Sequence, residues 1–230
     1  MRLFSNIEER GVTMRGIEMV WQDFPNLLVG AGKTLEIVCI SLLFATIIGL
    51  IFGMFRISSN RILQSITRVY VSIIRGTPLY VQIIFVYFAI MPMIVPGGLS
   101  PMVVGAMTIS INAGAYLAEV FRAGIASIDK GQEEASSALG FTKRQTFFYV
   151  ILPQAVKRMT PAFMNQFSIS LKDTSLLAVI GVVELTYSAQ IGYAQNYEIF
   201  AYLFTIGLMY WVLYTSINWL TELVERKVSN

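Results

Sequence analysis

Histidine is missing from this chain, and cysteine occurs once, at Cys39. The first absence removes the commonest metal ligand and the commonest general base. The second excludes an internal disulfide and any cysteine-cluster metal site. Charge is also scarce. Asp, Glu, Lys and Arg make up 13% of the 230 residues, against about 25% in soluble domains. An enzyme built on a nucleophile–base pair or a metal has little to work with here.

Apolar residues take up the difference, at 55% of the chain with a mean hydropathy of +0.63. The apolar runs are long and helical in character. A bilayer offers the backbone no water to bond, so such runs cross as helices. The fold class expected is an all-α integral membrane protein with about five transmembrane helices. The expected spans are Thr34–Phe55, a broken one within Ile62–Met91, Met102–Ile125, Pro161–Val183 and Phe200–Leu223. Arg75-Gly76-Thr77-Pro78 interrupts the second, because glycine frees the backbone and proline removes a donor. Gly49 and Gly53 form a G-x-x-x-G that suits close helix packing.

Residues 1–26 read as an extracytoplasmic, interfacial lead-in without the apolar core of a signal peptide. Residues 27–227 read as one membrane domain, and 228–230 as a tail. A net charge of +3 would suggest nucleic acid for a soluble protein. In a membrane chain it reflects cations gathered on the cytoplasmic side. With residues 126–153 inside, eleven Lys and Arg fall on inner segments and four (Arg2, Arg10, Arg15 and Lys33) on outer ones. The N-terminus is therefore expected outside and the C-terminus in the cytoplasm.

Gly30-Ala31-Gly32-Lys33-Thr34 looks like the tail of a P-loop, but Leu27 stands where the pattern needs its first glycine. It is expected to be a turn, with Thr34 near the start of a helix. The chain carries no nucleotide site of its own on this reading, so any ATP use belongs to another subunit.

Residues 126–153 are a polar island between apolar blocks. A short helix over Gly131–Leu139 is expected, then a sharp turn at Gly140. Thr142 would cap a second helix, with Pro153 stopping it before the fourth span. Here the chain resembles the permease subunits of ABC importers, polar amino acid branch. Their cytoplasmic signature is matched by Glu134-Ala135-Ser136, Gly140, Val150 and Leu152-Pro153, with Ser136 and Val150 departing from Ala and Ile. Arg75-Gly-Thr-Pro-Leu-Tyr-Val-Gln82, Asn112-Ala-Gly-Ala-Tyr116 with Glu119, Phe121-Arg-Ala-Gly124 and Leu171-Lys-Asp-Thr-Ser-Leu176 match as well. The resemblance covers about residues 27–227.

The resemblance implies a type I importer fold in a prokaryotic inner (plasma) membrane. It makes the island a coupling helix that docks on an ATPase, through Glu134, Ala135, Leu139, Gly140, Phe141, Leu152 and Pro153. It also implies two ABC ATPase subunits carrying ATP and Mg, and a second permease subunit, identical or a paralogue. An extracytoplasmic binding protein would deliver the amino acid. No cofactor or metal is expected on this chain, no nucleic acid is expected as a partner, and lipid surrounds it.

Depth arithmetic places Arg75, Lys172 and Asn112 near mid-membrane, with Thr77, Asp173 and Thr174 at that level, and Gly76, Tyr116 and Glu119 join them from the matched stretches. They are candidates for a chamber that takes a zwitterion, a cation facing its carboxylate and an acid its ammonium. The alternative is that these charges pair with one another, Arg75 with Glu119 or Lys172 with Asp173. If Ile62–Ile74 lies along the inner interface, Arg75 leaves the chamber. Glu184 and Glu198 are expected near the outer face, solvated or touching the binding protein. The competing function is a secondary transporter driven by an ion gradient, which would carry inverted repeats. None is visible in the sequence.

Overall fold

The structure, a computed structural model, describes the backbone of residues 14–229 and the side chains of residues 14–223. The first thirteen residues of the expected lead-in, and the side chains of Arg226 and Lys227, lie outside it. Among the described residues every regular element is a helix, joined by short turns and loops. In chain order the helices are α1 (Met14–Ile57), α2 (Arg61–Gly76), α3 (Leu79–Ile94), α4 (Pro101–Ala126), α5 (Lys130–Ala138), α6 (Lys143–Ile180), α7 (Leu185–Asn196) and α8 (Ile199–Ser229). Three are long and apolar enough to cross a membrane alone: α1, α4 and α8. α2 with α3 and α6 with α7 are bent pairs, at 101° and 48°, and counting each as one span gives five.

The longest packing seam runs between α1 and α4. Glycine is required along it. A Cβ at Gly49 would lie 2.6 Å from Leu117 Cβ, and one at Gly53 2.7 Å from Phe121 Cδ1. These contacts put the G-x-x-x-G face of α1 directly on α4. Deeper along the seam, Ser41 donates to the Ala106 carbonyl at 3.2 Å. α8 and α6 close on α1 through buried Val38, Leu42, Leu171 and Ile217.

Three expectations about helix ends are corrected. α1 is one helix of 44 residues, so residues 14–26 are its opening turns rather than a separate lead-in. Val20 and Leu27 are buried with Leu185, Ala189 and Tyr202, which holds those turns in place. Residues 30–34 are therefore helix and not a turn. Gly30 touches α7, and Thr34 Oγ1 accepts from Leu185 N at 3.2 Å.

Pro153 does not stop a helix. α6 passes through it, and Pro161 also lies within the helix. The turn before Pro153 widens into a π segment, Thr146–Ile151, where Leu152 N donates to Phe147 O. The same device precedes Pro92, where Val86–Ile90 is π and Met91 N donates to Val86 O. A proline supplies no N–H and crowds the carbonyl four residues back, and a wider turn relieves that crowding. At its far end α6 tightens to a 3₁₀ turn, Thr174–Ile180, closed by Gly181 at φ 78.

Candidate functional site

The break between α2 and α3 sets up the first site. Pro78 has no N–H for the Ile74 carbonyl, and Thr77 is extended. Side chains take over the bonding. Gln82 Nε2 donates to Ile74 O at 2.8 Å and to Thr77 Oγ1 at 2.8 Å, and Thr77 Oγ1 donates to Ile73 O at 2.9 Å. The amide of Asn112 on α4 donates to Gln82 Oε1 at 2.9 Å. The irregular backbone is thus held by two amides and a hydroxyl.

A cavity of about 510 Å³ opens beside this break. Arg75, Gly76, Thr77, Asn112, Tyr116 and Asp173 line it, with Pro78, Leu79, Gln166 and Ile169. The helical geometry assumed for Arg75 does not hold, since α2 lies at 101° to α3. Arg75 still reaches the cavity, because the bend comes after it and its guanidinium lies 4.9 Å above the Tyr116 ring. α2 is pinned there by Tyr70, whose hydroxyl donates to Ile111 O at 2.6 Å.

Three expected residues lie elsewhere. Glu119 pairs with Arg122 one turn on, at 2.6 Å, in place of Arg75. Lys172 points away from the cavity, over the Tyr214 ring at 5.3 Å. Thr174 is fully buried and donates to Leu171 O at 2.8 Å. Helical spacing explains the split, since residues 172 and 174 leave α6 on other faces than Asp173. One cation and one carboxylate then face the cavity, Arg75 and Asp173.

Glu184 is corrected too: it is fully buried. It caps α7 by accepting from Thr186 N and Tyr187 N at 2.9 Å each, and takes the Tyr210 hydroxyl at 2.9 Å.

The second site is the polar island. α5 spans Lys130–Ala138, capped by Asp129, whose carboxylate accepts from Gly131 N. It ends in a Schellman turn, with Gly140 N bonding Ser137 O and Phe141 N bonding Ser136 O, both at 3.0 Å. Gly140 takes φ 85, the left-handed region glycine enters most readily. Thr142 and Gln145 then form a capping box that starts α6. Gln154 ties α6 back to Gln132 at 3.2 Å, and Arg158 bonds the Ser127 carbonyl. Held this way, the turn presents apolar side chains outward: Leu139 is 78% exposed and Phe141 41%. Glu134 and Ala135 are exposed, while Leu152 and Pro153 stand at the α6 end of the segment.

Residues 45–230 match the family model described as the binding-protein-dependent transport system inner membrane component. The chain belongs to that family. The glutamine transport system permease protein GlnP of Escherichia coli K12 is 38% identical over 209 residues, covering 91% of this chain and 95% of the relative. The arginine transport system permease protein ArtQ of Bacillus subtilis is 34% identical over 206 residues, 90% and 94% of the two chains. A chain from the crystal structure of an amino acid ABC transporter with histidines superposes with a TM-score of 0.87 at 32% identity. That match covers 94% of this chain and 99% of the other. Membership makes the chain a permease subunit and leaves the ion-gradient carrier without support.

Sequence reading missed two residues of this permease. Gln82 closes the Arg75–Gln82 match, and its distance from Pro78 is the signal that could have found it. Gln166 lines the cavity from α6, one polar residue among many, with no local mark to single it out.

Proposed function

We propose that this permease forms the pathway for a polar amino acid in an ATP-driven importer. The α-carboxylate meets Arg75 and the α-ammonium meets Asp173, with Asn112, Gln166 and Thr77 around the remainder. The observation that carries the reading is the pair of opposite charges facing one cavity at a broken helix. Broken helices at mid-depth are where transporters take polar solutes. The volume lies within the roughly 300–1,000 Å³ of small-molecule sites. The glutamine and arginine systems among its relatives support the substrate class.

ABC ATPase subunits dock on Leu139, Phe141 and the turn at Gly140. They hydrolyse ATP with Mg, and this chain binds neither. The island is cytoplasmic, the N-terminus outside and the C-terminus inside, which the distribution of Lys and Arg supports. A second permease subunit, identical or a paralogue, closes the open side of the cavity, where Arg75 and Thr77 are exposed in the single chain. An extracytoplasmic binding protein delivers the amino acid.

Reconstitution tests this. Vesicles holding this chain, its ATPase and its binding protein should accumulate an amino acid only with ATP on the ATPase side. Uptake by the permease alone, driven by an ion gradient, would refute the reading.

A further inference from the structure

Along α2, Arg61, Ser65, Arg68, Ser72 and Arg75 are all exposed. Their spacing, alternately four and three residues, sets them in one stripe on the helix. Ile62, Ile66, Val69 and Ile73 form a second exposed stripe beside it, wholly apolar. The third face is turned to the protein. Thr67 is buried there, and Tyr70 packs its ring 4.3 Å from Phe52 of α1 and bonds Ile111 O of α4. Such a helix meets three surroundings: protein, apolar matter and a polar phase.

The polar stripe joins the cavity to the end of the bundle that bears α5. Arg75 lines the cavity. Arg61 opens α2 beside the end of α1, where Gln64 Nε2 donates to Ser58 O at 2.6 Å. α1 and α4 end together there, since Gly53 packs on Phe121 near the last turn of each, and α4 leads into α5. From Arg75 to Arg68 and from Arg68 to Arg61 is about 10 Å each, with a serine between, and about 21 Å in all.

Among the described residues no ion pair holds any of the three arginines. Glu119 on the neighbouring α4 is taken by Arg122, and α2 itself contains no acid. The Ser65 and Ser72 hydroxyls make no hydrogen bond there either, whereas Thr67 on the packed face donates to Leu63 O at 3.0 Å. An arginine near a helix end can reach the headgroups, but Arg68 lies in mid-helix and Arg75 at the end beside the cavity. Intramembrane cations so placed face a water-filled path or an anion. A guanidinium holds a carboxylate through two parallel hydrogen bonds, and a serine hydroxyl can add another.

We infer that this stripe is the exit track for the substrate's α-carboxylate, which passes from Arg75 to Arg68 and Arg61 and leaves at the α5 end. Passage needs sites favourable enough to enter and weak enough to leave, which spaced cations provide and one deep site does not. The second permease that closes the cavity walls the track as well. The inference rests on the import reading of the cavity.

The test is ATP-driven uptake by the reconstituted complex, measured against the concentration of amino-acid-loaded binding protein. Arg68→Gln should lower the maximal rate about tenfold, as loss of a charge-assisted hydrogen bond does. It should leave the half-saturating concentration and the melting temperature unchanged. Arg68→Lys should recover part of the rate, and Arg68→Glu should lose more than Arg68→Gln. Arg61→Gln, at the first residue of α2, should show the same split with a smaller fall, and it carries the test if Arg68→Gln fails to fold. A lipid phosphate is the competing anion, so vesicles are made of phosphatidylcholine alone and with phosphatidylglycerol added. The Arg68→Gln defect should be the same in both. A wild-type rate that drops without phosphatidylglycerol, with Arg68→Gln indifferent to it, would overturn the inference, as would unchanged rates in Arg68→Gln and Arg61→Gln. Failure of the import reading differs: wild-type complex would show no ATP-driven uptake in either lipid.

Discussion

The Gln82 side chain donates to the Ile74 carbonyl at 2.8 Å, the acceptor that Pro78 leaves without a backbone partner. A side chain four residues after the proline supplies the missing donor, so the bend at 101° is held in one shape. Gln82→Leu should remove that donor and leave the Asn112 amide unpaired. The expected cost is about 1–3 kcal/mol, the range for a buried polar group left unsatisfied. Thermal unfolding of the purified complex measures it. A double-mutant cycle with Asn112→Ala should show coupling between the two amides, because they share a hydrogen bond.

Two glycines of α1 should respond in opposite ways. At Gly49 a Cβ would meet Leu117 Cβ at 2.6 Å and the Leu117 backbone carbon at 3.2 Å, so α1 and α4 must separate. Gly49→Ala should destabilise by about 1–3 kcal/mol, as overpacking does. At Gly32 a Cβ meets nothing within 4 Å. Gly32→Ala should be neutral or slightly stabilising, through higher helix propensity. Melting temperatures of the two variants decide the matter.

The turn at Gly140 separates strain from contact. Gly140→Ala meets no atom within 4 Å but must hold φ 85, which costs about 1–2 kcal/mol for a residue with a Cβ. Leu139 is 78% exposed, so Leu139→Ser should leave the fold's melting temperature unchanged. It should nonetheless release the ATPase, measured by co-purification of the two subunits. Retention of the ATPase by Leu139→Ser would move the docking surface elsewhere.

Much of the fold was legible because membrane burial constrains it so strongly. The spans, the break at Arg75–Pro78 and the close approach at Gly49 and Gly53 all follow from hydropathy, proline and glycine. Helix ends were harder to read. Pro153 signals a stop in water, yet one π turn lets α6 run through it. Residues 14–26 look interfacial, yet their anchor is Tyr202, some 180 positions away, and no local pattern reports that contact. The cavity was partly legible. Depth arithmetic carries no helix face, so it groups Lys172 and Thr174 with Asp173. Glu184 read as a surface acid because its partner Tyr210 is distant in sequence.

The most direct test of the cavity as the amino acid site is ATP-dependent uptake by the reconstituted complex carrying Asp173→Asn, at saturating binding protein. Asp173 faces the cavity opposite in charge to Arg75, and its neutral analogue keeps its size. The uptake rate should fall at least about tenfold, as for a lost charge-assisted hydrogen bond of about 1.5–3 kcal/mol. Discrimination between amino acids should change with it. An unchanged rate and unchanged discrimination would contradict the account.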